Sequence, residues 1–477
     1  MVVVGSGPGA LQTSYYLTHL GIDHAVISRD DRPGGMFCAF PIFQRLLSWS
    51  KPDAPVERTT REYEWYDQNS LLAEDPSCRA LVPGLMDRTF AVPSRPEMEA
   101  GMAAFAERGA IRVRYGCRWE STRREDDGSL TLVTSDGEYR CRAAVFALGV
   151  TKPWKSSIPG IEHVPHYVET RKPHEYENRR VVVIGKRNSG FEIADGLLPW
   201  ARQIILVSPR PVQTSVLALS SVRVRYMQPL EDAGLGGGTF AIDASVESIE
   251  RTASGFRVHA EGTTSPCDLW LEADDVIAAT GFRAPLLDLP ALGVQTVGQG
   301  RIPALTPFFE ATGVPGVYFA GNATQGAPGL RKHGVGASSA AVHGFRYNAR
   351  VLAGEIAARH FDIRPEARTL AAGEVVPFLA AELARGPEIW TQKAYLARVV
   401  RLGDEPADLG IEPLAHFVDA PGPDAVAATI EMNASGEIYP VVYVRRGGAV
   451  TEHALPAEPM NPFDNADFVA ELEAVLE

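Results

Sequence analysis

The chain is short of cysteine: five in 477 residues, Cys38, Cys78, Cys117, Cys141 and Cys267, an odd and scattered set with no CxxC pair. That pattern excludes the usual zinc spacings and the paired-thiol redox motif, and it fits a reducing compartment. Histidine is also sparse, eleven residues with no HExxH, so no metal site is expected. Positive charge is in the minority, Lys+Arg 46 against Asp+Glu 59 for a net −13. Counterion release works against such a chain on a phosphate backbone, so neither nucleic acid nor an anionic membrane is an expected partner. No apolar run reaches the ~18 residues that a membrane helix needs. Nor does a charged segment followed by an apolar one open the chain, since Met1 leads straight into Val2-Val3-Val4, and a cytoplasmic address is expected.

What is present is an ordinary globular composition, 45% hydrophobic and 22% charged. At roughly 100–200 residues per domain, the length predicts two to four domains. Basic residues are mostly arginine, which suits bidentate recognition of phosphate at a few places.

Residues 1–30 read strand, glycine turn, helix, strand: MVVV, Gly5-Ser6-Gly7-Pro8-Gly9-Ala10, LQTSYYLTHLG, HAVIS. Residues 181–210 repeat that grammar: VVVI, Gly185-Lys186-Arg187-Asn188-Ser189-Gly190, FEIADGLLPW, QIILVS. Two such openings predict an α/β protein with two Rossmann-like dinucleotide-binding folds. In the first turn Gly5 allows the tight bend and Gly7 lets backbone approach a pyrophosphate. Ala10 permits close packing, and the helix N-terminus beginning at Pro8-Gly9 faces the anion. The slot for a ribose-binding acid holds Ser28, followed by Arg29 and Asp30, and either Ser28 or Asp30 takes that role. Gly35-Met36-Phe37 follow in a segment where backbone can pass close to a flavin.

The second turn has Arg187 where a glycine would allow the closest approach. Ser208-Pro209-Arg210 comes after the strand QIILV. Arg210 there can pair with a 2′-phosphate while Ser208 adds a hydrogen bond, favouring NADPH over NADH. The structural alternatives are a ligand-free strand–helix turn, a plain loop and a solvated arginine. Two dinucleotide sites without a dithiol point to a flavin plus a nicotinamide, with hydride passing from the nicotinamide to the flavin.

Short strands run over 111–150, ending at Gly149, and over 240–280, ending at Thr280-Gly281; TKPWKSSIPG at 151–160 reads as a linker. A strand at 316–320 ends in the turn Gly321-Asn322, followed by a helix expected from about Gly334 to His360. The expected domains are an FAD-binding one (1–155 and 275–362), an NADPH-binding one inserted in it (156–274), and a small C-terminal α+β one (363–477). The last contains a hairpin turning at Asn433–Gly436 and a final helix with Phe468, Val469, Leu472, Val475 and Leu476 on one side.

GSGPGA, the DRPGG loop, VIAATGF at 276–282 and YFAGN at 318–322 resemble the two-dinucleotide-binding flavoproteins, whose members include flavin-containing monooxygenases and pyridine-nucleotide disulfide oxidoreductases. The resemblance covers about residues 1–360. GPGALQTSYYL, DRPGGMFCAFPIFQRLLSWSK, QNSLLAEDP, VVVIGKRNSGFEIAD and HGFRYNARVL are similar to the endoplasmic-reticulum degradation-associated flavoproteins and their bacterial relatives. HYVETRKPHEYENRRVVVIG resembles the bacillithiol-disulfide-reductase-like flavoproteins.

These resemblances imply FAD in the first site and NAD(P)H in the second. Gly185 and Asn188-Ser189-Gly190 match the monooxygenase nicotinamide pattern, and Thr280-Gly281 matches the element linking the two domains. The monooxygenase fingerprint before the second site is not intact: Ile158-Pro159-Gly160 begins it, but Val164 occupies the histidine slot. Gly9 stands where the bacillithiol-type enzymes carry a cysteine, leaving Cys38 as the thiol to watch.

Oxygen chemistry through a flavin C4a-hydroperoxide calls for a dry pocket and a donor near the ring. The segment from Phe37 to Lys51 is the candidate, with Phe40, Phe43 and Trp49 excluding water and Ser48 or Lys51 donating; the same aromatics also suit a core. Asn322 is expected near the ribityl chain. Arg331 and Lys332, with His333, are placed to neutralise the reduced flavin or meet an acidic substrate, or they form a solvated basic turn. The expected function is an FAD- and NADPH-dependent monooxygenase oxygenating an N or S nucleophile of a small molecule, N-hydroxylation favoured. The alternative is an NAD(P)H-dependent reductase or oxidase acting on a disulfide, a quinone or oxygen. A homodimer is left open.

Overall fold

The computed structural model describes residues 1–212, 238–329, 337–364, 366–458, 460 and 463–477. They form two compact units. One comprises Met1–Val150 with Ala284–Glu477, and the other, Thr151–Arg283, is inserted in it along the chain.

The first unit is built on a five-stranded sheet in the order Val317–Phe319, Ala144–Phe146, Val2–Val4, Ala25–Ile27, Val113–Arg114, every pair parallel. Its central strands are three-residue apolar runs without alternation, as a sheet covered on both faces requires. Helix α1 (Pro8–His19) covers one face and is buried from Pro8 to Leu17. Phe146 anchors the core, its ring centroid 4.8 Å from that of Trp119 and 5.9 Å from that of Phe319. Each such side chain contributes roughly 1.5–3 kcal/mol by leaving water. An antiparallel sheet of Trp119–Arg124, Leu130–Thr134 and Gly137–Cys141 follows.

The inserted unit carries six strands in the order Asp268–Ala273, Gly255–Gly262, Thr239–Thr252, Gln203–Ser208, Arg180–Ile184, Asp275–Ala278. The last four run parallel and the first two antiparallel. Helix α2 (Asn188–Leu197) follows the strand Arg180–Ile184. The stretch 151–160, expected as a linker, is in part ordered sheet: Lys152–Pro153 pairs antiparallel with Phe282–Arg283. Trp154 is held from both sides, its N–H on the Gly281 carbonyl at 3.0 Å and its carbonyl under the Thr280 hydroxyl at 2.6 Å.

Back in the first unit, helix α3 spans Val342–Phe361, later than the expected start near Gly334. Ala341 is extended at φ −128°, ψ 160°, and the carbonyl of Ser338 is spent on the Ala341 N–H, so helical geometry begins only at Val342. Residues 330–336 lie outside the described part. Helices α4 (Val375–Arg385) and α5 (Pro387–Thr391) lead into a six-stranded antiparallel sheet spanning Arg368 to Ala454. Its hairpin turns at Asn433–Gly436, where Asn433 Oδ1 accepts from the N–H groups of Ser435 and Glu437. The final helix α6 (Ala466–Leu476) buries Phe468 and Leu472. Among the described residues no helix is long and apolar enough to cross a membrane.

Candidate functional site

Three glycine turns of the first unit converge at the N-terminus of α1. Gly5 sits at φ +130°, and a Cβ there would lie 2.6 Å from the Ala147 carbonyl oxygen, so only glycine lets the turn leave the first strand tightly. A Cβ on Gly35 would lie 2.8 Å from Gly7 Cα, and one on Gly9 2.6 Å from Gly321 Cα. The stretches 5–10, 34–35 and 321–322 therefore meet backbone against backbone.

Helix α1 has no side-chain cap and no acidic residue in its first turn. Its Gly9 and Ala10 N–H groups reach no acceptor among the described residues. Both are buried, and buried donors call for a partner. A pyrophosphate supplies one without steric conflict from a side chain, so the residues fit an FAD-type dinucleotide.

The two candidates for the ribose-binding role turn out to be partners. Ser28 is buried at the end of its strand, and its hydroxyl faces Asp30 Oδ2 at 3.2 Å while accepting the Asp30 N–H at 3.1 Å. Ser6 donates to the same carboxylate oxygen at 2.7 Å. The Asp30 side chain keeps 33% of its surface exposed, so the acid is presented and the serines orient it. Arg29 is largely exposed and makes a long ion pair with Asp30 at 3.9 Å. Sequence reasoning missed Ser6, although its place in the glycine turn, just past the strand that neighbours the one leading to Asp30, was a usable signal.

Gly35, Met36 and Phe37 open a short 3-10 turn that ends at Cys38. The Cys38 thiol donates to the Pro33 carbonyl at 3.5 Å. Burial, followed by the charge of Glu99, pushes its pKa up. All five cysteines are free thiols.

Segment 48–51 is tied to the stretch after it. Asn69 donates to the Ser48 carbonyl at 3.1 Å and to Ser50 Oγ at 2.9 Å, and Ser50 donates to the buried Asp67 carboxylate at 2.6 Å. Trp49 is 38% exposed, and Lys51 is exposed with its ammonium 5.7 Å from the Tyr66 ring. Asn322 is half-buried in the turn Gly321–Gly326, its carbonyl accepting from Gln325 at 2.7 Å. Gly149 follows the strand Ala144–Phe146 at φ +68°. Arg331, Lys332 and His333 lie outside the described residues.

The inserted unit repeats the geometry. Gly185 is at φ +124° with a virtual Cβ 2.4 Å from the Ala279 carbonyl oxygen, and one on Gly190 would sit 2.0 Å from the Gly185 carbonyl oxygen. Arg187 is the extended, exposed residue before α2, which begins with Asn188-Ser189 and has no acid in its first turn. Arg210 is exposed two residues past Ser208, the end of its strand. Neither Arg187 nor Arg210 makes an ion pair among the described residues. The residues thus fit a second anionic dinucleotide.

Lys186, a member of the same turn, is committed elsewhere: its buried ammonium pairs with Asp243 and donates to the Ile242 carbonyl at 2.7 Å. That bond holds the Asp243 pKa down. Thr280 and Gly281 serve as the seat of Trp154 described above, and Gly281 also accepts from His166 Nε2 at 2.9 Å. Burial holds the His166 pKa down, against the pull of that bond toward the charged form. Among the described residues no group of three His, Cys, Asp or Glu is placed to hold a metal.

A parallel sheet with a glycine turn at its first strand–helix junction, present twice in one chain, defines a two-dinucleotide-fold oxidoreductase. The sequence profile of the pyridine nucleotide-disulphide oxidoreductases matches residues 2–321, and the chain belongs to that family. The FAD-dependent oxidoreductase domain-containing protein 2 of Danio rerio is 25% identical over 404 residues, covering 73% of this chain and 57% of its own length. The chain thus spans less than two thirds of that relative. Among solved structures, the bacillithiol disulfide reductase of Bacillus cereus is 20% identical with a TM-score of 0.56, covering 75% of this chain and 98% of its own. A flavin-containing monooxygenase from Stenotrophomonas maltophilia is 20% identical with a TM-score of 0.56, covering 75% and 97%. At such identities the two structures share the fold with this chain.

Proposed function

We propose that this oxidoreductase uses FAD in the first turn and NADPH in the second, and that it is a monooxygenase oxygenating an N or S nucleophile of a small molecule, amines first. The domains proposed to carry this are 1–155 with 275–362 for FAD, 156–274 for NADPH and 363–477 as a C-terminal α+β domain. FAD rests on the convergence of Gly7, Gly9, Gly35 and Gly321 at the free end of α1, with Asp30 presented beside it. When bound, the flavin accepts hydride from the nicotinamide and passes electrons to an acceptor.

The observation that favours oxygen over a disulfide as acceptor is the state of the thiols. A thiol–disulfide relay needs a reactive thiolate, usually with a resolving partner. Here the 3-10 turn beside the Gly34–Gly35 loop offers a single thiol, Cys38, donating to a backbone carbonyl with its pKa pushed up. For an amine the balanced reaction is R-NH2 + O2 + NADPH + H⁺ giving R-NHOH + H2O + NADP⁺. The proposed partners are the small molecule and oxygen; the free cysteines support a reducing, cytoplasmic address.

The test is oxygen uptake by the purified yellow protein with NADPH and a panel of primary amines and thioethers. Hydroxylated or S-oxygenated product in step with NADPH consumed is the expected result. Stoichiometric hydrogen peroxide with every candidate, together with faster NADPH oxidation on adding disulfides or quinones, overturns it in favour of a reductase or oxidase.

A further inference from the structure

Beyond the family-matched 2–321, a chain of buried side chains that starts at Gln392 reaches back to the first glycine-turn cluster. Gln392, at the end of α5, is fully buried, as are Asn348 and Ser339, while Thr324 is 1% exposed. Gln392 Nε2 donates to the Asn348 amide oxygen at 2.6 Å, lies 2.9 Å from Ser339 Oγ and 3.2 Å from the Gly344 carbonyl. Asn348 Nδ2 in turn donates to Thr324 Oγ1 at 3.0 Å and to Ser339 Oγ at 2.9 Å. The Thr324 hydroxyl ends the chain by donating to the Gly321 carbonyl at 2.7 Å.

The direction of this chain is forced. The Gly344 carbonyl only accepts, so the nitrogen of Gln392 must face it. That turns the Asn348 oxygen toward Gln392 and its nitrogen toward Thr324, leaving the Thr324 proton for Gly321. The arrangement is kept although Gln392 Oε1 is left buried without a partner among the described residues, a cost that the bonds of the donor end offset. Gly321 is the residue that meets Gly9 backbone to backbone. The segment bearing Gln392 is itself pinned: Glu388, four residues earlier, is paired with Arg350 on α3 at 3.1 Å.

We infer that Gln392 is a positioning residue for the first dinucleotide site: through Asn348 and Thr324 it holds the Gly321 turn against Gly9, so the C-terminal region completes the FAD cradle. This rests on the FAD reading above, and the two fail differently. If the full-length wild-type chain retains no FAD, both fall.

With FAD bound to the wild type, Gln392→Leu and Thr324→Val are compared by FAD titration, bound-flavin absorption spectrum and thermal unfolding with and without FAD. Both variants are expected to weaken FAD binding about tenfold, the scale of one lost buried hydrogen bond. They should also shift the bound-flavin spectrum, and the double variant should be no weaker than the worse single one. Thr324→Val removes a single hydroxyl and serves if Gln392→Leu does not fold. A purely structural role lowers the melting temperature with and without FAD alike. Folded variants with wild-type FAD affinity and an unchanged spectrum overturn the inference.

Discussion

Arg61 donates to the buried carboxylate of Glu388 at 2.6 Å and forks onto Glu382 at 2.7 and 2.9 Å, joining the stretch after the first glycine turns to α4 and α5. Arg350 from α3 reaches Glu388 from the other side at 3.1 Å. Burial alone would raise the Glu388 pKa, but the two guanidinium groups hold it down to about 2 from 4.5.

A depressed carboxylate pKa contributes stability above its unfolded value that is lost as pH falls toward the folded one. Unfolding free energy is therefore expected to drop between about pH 4.5 and pH 2. Glu388→Gln should cost about 3 kcal/mol at pH 7, the lower end for breaking a buried pair because both arginines stay about a third exposed. It should also flatten the acid limb. Denaturant unfolding at pH 7 and pH 3 checks both. An unchanged limb in the variant would assign the acid sensitivity to other carboxylates.

Asp30, held by Ser6 and Ser28, is expected to carry the charged hydrogen bond to the FAD ribose. Asp30→Asn should weaken FAD binding by about tenfold or more, and Ser6→Ala by less, since it loosens the carboxylate without removing it. FAD retention on gel filtration and titration of the apoprotein decide this. Equal affinity in Asp30→Asn would return the role to another group.

Cys38 is expected to be dispensable. Because its pKa is raised, the thiol stays protonated through neutral pH and becomes a thiolate only as pH climbs beyond the usual thiol range near 8.5. In a Cys267→Ser background, which removes the exposed thiol, labelling of Cys38 by a disulfide reagent should be slow at pH 7.5 and accelerate steadily to pH 10. Cys38→Ser should leave NADPH oxidation within about twofold of wild type. A loss of activity greater than tenfold would restore the thiol-relay reading.

The parts of this structure legible in the sequence are local ones. Glycine spacing at 5–10 and 185–190 is read within a few residues, because backbone conformation and helix start are set by neighbours. The sheet and helix pattern around each turn follows from short apolar runs. What escaped comes from distant pairings that spacing does not encode. Gln12 holds the backbone of Leu72 through both its amide atoms, at 2.8 and 2.7 Å, Ser50 finds Asp67, and Gln392 finds Asn348. Lys186 looked like part of the nucleotide turn, and only the neighbouring strand showed that Asp243 claims it. Ser28 and Asp30 read as rivals because sequence gives no sense of which side chain is presented and which is buried behind it.

With Lys186 bound to Asp243, recognition of a 2′-phosphate is expected to fall to the exposed Arg210 and to Ser208. A guanidinium pairs with phosphate through two hydrogen bonds and gains nothing comparable from a ribose hydroxyl. Arg210→Ala is therefore expected to raise KM for NADPH about tenfold or more while leaving KM for NADH within about twofold. Arg187→Ala, at the helix entrance, should affect both coenzymes, because the pyrophosphate is common to them. Asp243→Asn tests the other half of the argument. It strands a buried ammonium, so it should destabilise the inserted unit, and Lys186→Met in the same background should recover part of that loss. Steady-state kinetics with both coenzymes and thermal unfolding of the four variants separate these effects. A matched rise in KM for NADH and NADPH in Arg210→Ala would remove Arg210 from 2′-phosphate selection.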